Sequence, residues 1–150
     1  MKNTQEEKDV RERMRPGIIT SGGFLGTDER TLADIVQADE EAFRRAGLEF
    51  DAAAERLEGW KEAGNRGLGE PVTVEGRYLI RSGDARGVLP CPWKDGAFHK
   101  NSVDVRDTKT GAEIVYSDLS IHLLEVHHFC QGRGSPFRLE PETLARMMRE

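Results

Sequence analysis

The chain has 150 residues, enough for one hydrophobic core; 37% are hydrophobic, 33% are charged and the formal net charge is −5. That balance describes a folded, well-solvated protein and argues against a disordered one. No apolar run approaches the length needed to cross a bilayer, and neither half carries the excess of bases that nucleic-acid binding relies on.

Residues 1–15 alternate charges around two apolar side chains, Val10 and Met14. They are expected to form a frayed helix or flexible charged arm, leaving residues 16–150 as a single α+β domain. The opening segment lacks the apolar stretch of a secretory signal, and two cysteines make no disulfide framework. A cytoplasmic setting with reduced thiols is therefore expected. The glycine-rich stretch Ser21-Gly22-Gly23-Phe24-Leu25-Gly26 has the look of a phosphate cradle. It lacks the first glycine of a dinucleotide fingerprint and the lysine of a P-loop, and Asp28 and Glu29 would stand where a phosphate sits at a helix start. A tight turn is the expected role.

Thr27 is a suitable N-cap for a first helix, with Leu32, Ile35, Val36 and Phe43 as its apolar stripe and Gly47 as terminator. A second helix is expected from Asp51 through Leu57 and Trp60 to a stop at Gly64. The short link between them predicts an antiparallel helix pair. From residue 67 the periodicity changes to two. Strands are expected at residues 71–74, 77–80, 87–89, 102–106 and 112–116, with Asp107 to Gly111 as a hairpin turn. Ser117 caps a helix expected to run to about Phe129; residues 137–139 read as extended, and Pro141 opens a last short helix. The order predicts an α+β fold, with an N-terminal antiparallel helix pair, an antiparallel β-meander and a C-terminal helical segment.

All the histidines and cysteines, Cys91, His99, His122, His127, His128 and Cys130, fall between residues 91 and 130. Thiol and imidazole are ligands that suit zinc. On a helix, Leu119, His122, Leu123, Val126 and Cys130 form one inward stripe, while His128 faces away with Ile121 and Leu124. His127 lies at the edge of that stripe, about 140° from His122. Cys91 sits in the rigid turn Pro90-Cys91-Pro92-Trp93, which can present a ligand across from the sheet. The candidate metal ligands are therefore Cys91, His122 and His127, with the fourth position open to His99, Cys130 or water. The plainer alternative makes His122 a hydrogen-bonded core histidine and Cys130 a small buried hydrophobe.

Two further sites are candidates. Cys91 could be a nucleophile if its pKa were lowered and His122 or His127 served as base. Arg133 and Arg138, in a glycine-rich loop, could clasp an anion, the alternative being ordinary pairing with surface carboxylates. Three functional classes follow: a zinc-binding module, a cysteine- or metal-dependent enzyme, and an interaction protein whose helices in residues 27–64 make a homo-oligomeric or heteromeric contact.

Overall fold

A computed structural model describes residues 4–149. Their elements, in chain order, are α1 (Gln5–Arg13), α2 (Leu32–Ala46), α3 (Phe50–Asn65), β1 (Val72–Val74), β2 (Tyr78–Pro90), β3 (Ala97–Asp107), β4 (Glu113–Tyr116), α4 (Asp118–His127) and α5 (Pro141–Met148). The fold is α+β: the strands form one antiparallel sheet in the order β1-β2-β3-β4, a meander in which each strand pairs with its sequence neighbours. The two short strands expected at residues 77–80 and 87–89 are one long strand. β2 pairs with β3 from Tyr78 opposite Asp107 to Pro90 opposite Ala97, with a register shift between Asp84 and Val88. Residues 137–139, expected to be extended, join no strand. No helix among the described residues is long and apolar enough to cross a membrane.

The helix boundaries follow local chemistry. α2 begins four residues later than expected, because Thr31 and not Thr27 caps it, accepting from the Asp34 N–H at 3.1 Å. Asp28, expected in the first helical turn, is instead held in the preceding loop by the Arg30 guanidinium at 2.6 and 2.9 Å and by the Arg133 N–H at 3.1 Å. α2 does end at Gly47, whose left-handed φ of 71° suits glycine. α3 runs past the stop expected at Gly64. A Cβ on that residue would lie 2.3 Å from Ser82 Oγ, so glycine there serves contact between helix and sheet.

α2 and α3 meet at their joint, where Phe43 and Phe50 stack at 3.9 Å between centroids. Beyond it, α2 leans chiefly on α5, and α3 lies across β2 and α4. Two apolar clusters result. The larger, between α3 and the sheet, contains Leu57, Trp60, Ile80 and Tyr116. The smaller contains Val10, Met14, Phe24, Ile35 and Phe129. α4 serves both, sending Ile121 and Leu124 into the first and Leu119 and Leu123 into the second. The single inward stripe expected for this helix is therefore incorrect: Ile121 and Leu124 are buried and Val126 is 54% exposed.

Of the frayed helix or flexible arm expected at the N-terminus, the described part is helical. Met1 to Asn3 lie outside the described residues, but Gln5–Arg13 is a helix capped by Thr4, and Val10 and Met14 are buried in the smaller cluster. The glycine-rich stretch does more than turn. Gly132 donates to Phe24 O and Thr27 to Arg133 O, both at 2.9 Å. A Cβ at Gly26 would sit 2.4 Å from Arg133 O, and one at Gly132 would sit 2.3 Å from Leu25 O. The glycines let two distant backbones touch.

Candidate metal centre

β2 ends and β3 begins on either side of residues 91–96. The Cys91 N–H donates to Gly96 O at 2.9 Å and the Lys94 N–H to Cys91 O at 2.8 Å, which folds Asp95 back over Cys91. Arg13 of α1 donates to Pro92 O at 2.5 Å and holds the turn from outside. Facing the turn is α4. Its start is fixed by a reciprocal cap between Ser117 and Ser120. Its end is fixed by His128, which adopts a left-handed φ of 53°. It carries His122 near its middle and His127 as its last residue.

These two pieces bring four donor atoms together. Asp95 Oδ1 lies 3.0 Å from His122 Nε2, and Asp95 Oδ2 lies 2.8 Å from His127 Nε2. Cys91 Sγ is 3.7 Å from the same His127 Nε2. One ligand atom from each of Cys91, Asp95, His122 and His127 lies within 4.8 Å of every other. The angular separation of the two histidines does not keep them apart, because both rings reach outward to a carboxylate that spans them. Their centroids are 5.3 Å apart, edge-on. Aromatic walls fix the rings: Trp93 stacks on His127 at 4.0 Å and Phe98 tilts over His122 at 4.5 Å. Burial is graded, from Cys91 at 1% exposure to the Asp95 side chain at 37%, so the cluster opens to solvent at the carboxylate.

Protonation follows from this geometry. Burial, reinforced by the neighbouring Asp95, pushes the Cys91 thiol up to about 12. Burial also raises Asp95, but hydrogen bonds to Cys91 and His122, with the charge of both histidines, outweigh it and hold the carboxyl well below its usual range. Burial lowers His127, with Asp95 opposing. The thiol is thus a neutral donor at physiological pH. A raised thiol is the opposite of what a cysteine nucleophile needs, and a coordinated cation is what would draw it to the thiolate. The contacts also argue against a catalytic relay, in which thiol and carboxylate engage opposite nitrogens of the imidazole. Here both approach Nε2 of His127.

The structure therefore unites Cys91, His122 and His127 and adds Asp95, which the sequence reading did not select. The signal available was an acid four residues after Cys91 in a turn bounded by proline and glycine. The expected alternatives for the fourth position lie elsewhere. His99 is exposed and pairs with Asp84 at 3.3 Å, and Cys130 is buried in the larger core. His128 pairs with Glu40 at 2.7 Å and stacks on Phe50. Arg138 does not join Arg133 in an anion clasp. Its guanidinium is taken by Asp39 at 2.9 and 3.2 Å, by Glu140 at 2.9 Å and by Gln131 O at 2.6 Å. Arg133 is exposed, and its backbone serves Asp28 and Thr27. Compared with protein-family models, curated proteins and solved structures, the chain gives no significant match.

Proposed function

We propose that the protein is a metal-binding module that holds one zinc ion through Cys91, Asp95, His122 and His127. The observation that carries this reading is the convergence of all four donor atoms within 4.8 Å, with thiol and carboxylate directed at one imidazole nitrogen. A tetrahedral zinc with bonds of about 2.0–2.3 Å separates its ligand atoms by roughly 3.3–3.6 Å. The contacts of Asp95 Oδ2 at 2.8 Å and Cys91 Sγ at 3.7 Å, both with His127 Nε2, need only small adjustments to become two edges of that tetrahedron, and His122 Nε2 lies within 4.8 Å of the other ligand atoms. Thiolate, imidazole and carboxylate together suit zinc better than the hard cations, which prefer oxygen alone. Four protein ligands make a closed site, whose role is to fasten the turn between β2 and β3 to the end of α4.

The test is metal analysis of the full chain prepared without a histidine tag, followed by zinc titration. One equivalent of zinc is expected, and Cys91→Ser and His127→Ala should abolish stoichiometric binding. Cobalt in place of zinc should give a thiolate charge-transfer band that Cys91→Ser removes. Zinc at a hundredfold excess over its Kd should stabilise the wild type by about 2.7 kcal/mol and leave both variants unchanged. Absence of stoichiometric metal, or equal binding by the variants, overturns the proposal.

A further inference from the structure

A cavity of about 440 Å³ opens between the glycine-rich segment, the β2–β3 hairpin, the start of α4 and the loop after it. Its size is within the ~300–1,000 Å³ common for small-molecule sites. None of its lining residues belongs to the Cys91, Asp95, His122 and His127 cluster. Phe24, Leu89, Leu119 and Phe137 supply apolar wall, and among the described residues Lys100 is the one charged side chain along it. Among the described residues no carboxylate lines the cavity beside that lysine. Asp118, bound by Asn101 at 3.1 Å, is itself paired with Lys61 at 2.9 Å.

Gln131 makes this cavity more than a gap in packing. The residue is 5% exposed and its backbone has φ of 72°, a conformation a side chain disfavours. Its Oε1 accepts from the Ser135 hydroxyl at 2.6 Å. Its Nε2 bonds to no acceptor among the described residues and is not sealed from solvent, which leaves an accessible amide donor on a residue that lines the cavity. The electrostatic objection to an anion beside the glycines also falls away. Asp28 is neutralised by Arg30 in the loop before α2, and neither it nor Glu29 lines the cavity.

From the apolar wall, the single cation and the accessible amide donor we infer that this cavity binds a small organic monocarboxylate. The apolar body lies against Phe24, Leu89, Leu119 and Phe137, and the carboxylate takes Lys100 and Gln131. One lysine matches a monoanion; a phosphate dianion would call for a second cation that the wall does not supply.

The test is amide NMR of the isotopically labelled full chain, titrated with phenylbutyrate, with hexanoate, with neutral phenylbutyramide and with phenylpropyl phosphate. At least one carboxylate should give saturable shifts at Gly22, Gly23, Gln131 and Phe137. The neutral amide should bind roughly tenfold more weakly than phenylbutyrate, and Lys100→Gln should erase that difference. The variant's own spectrum verifies its fold, since Lys100 is exposed. Equal binding of acid and amide overturns the inference. So do tighter binding of the phosphate ester, shifts confined to other regions, or no saturable response to either acid.

Discussion

Gly64 lies within α3, where glycine costs about 1 kcal/mol relative to alanine. The absent Cβ lets the helix approach Ser82 and Ile80, whose side chains would otherwise be 2.3 and 2.8 Å from it. Gly64→Ala should therefore lose about 2 kcal/mol of stability despite its better helix propensity. The denaturation midpoint checks this, and Ser82→Gly in the same chain should recover part of the loss. If both backgrounds lose equally, the Cβ does not meet Ser82. The sequence presented this glycine as a helix stop, because a terminator and a close approach use the same residue. Asp95 was hidden for a related reason. In sequence it is one acid in a polar turn, and only the closure of residues 91–96 carries it over Cys91. Cys91, His122 and His127 were legible because their side chains name their chemistry wherever the chain places them.

Elements were more legible where a boundary residue acts alone. Gly47, Ser117 and Pro141 mark ends of α2, α4 and α5 as expected. The hairpin after Asp107 also forms, with Asp107 accepting from the Lys109 N–H and the Thr110 hydroxyl. α1 was obscured because Val10 and Met14 offer an apolar face only two residues wide, which becomes a docking face once Phe24, Ile35 and Phe129 arrive from elsewhere. Met14→Ala tests that docking. Its side chain is fully buried, so truncation should cost about 3 kcal/mol and lower Tm in a thermal melt. An unchanged Tm would return the segment to the status of a loose arm. α4 misled a one-stripe reading because two clusters claim it, and a helix buried on two sides has no single moment to detect.

For the molecule as a whole, two carboxylates outside the candidate metal centre link stability to acidity. The Arg77 guanidinium, at 2.8 and 2.9 Å, outweighs burial and holds Asp107 well below the usual carboxylate range. Arg30 does the same for Asp28. In the unfolded chain both regain ordinary values near 4, so below that pH the unfolded state binds more protons. Their contribution is complete above about pH 4 and is lost as the pH falls through the depressed folded values. Urea denaturation across acidic pH should show stability falling in that window. Asp107→Asn should flatten the slope and cost about 3 kcal/mol at neutral pH, since it leaves the buried partner of Arg77 uncharged. An unaltered slope in that variant would place the acid sensitivity elsewhere.

The smaller apolar cluster draws Val10, Met14 and Phe24 from one end of the chain and Leu119, Leu123 and Phe129 from near the other. On the ribosome the first group emerges long before its cover exists. The nascent protein must carry those side chains uncovered until α4 is made, and its N-terminal helix closes late. Such a chain gains little from folding as it is synthesised, and its early segment is the part that most needs shielding from aggregation.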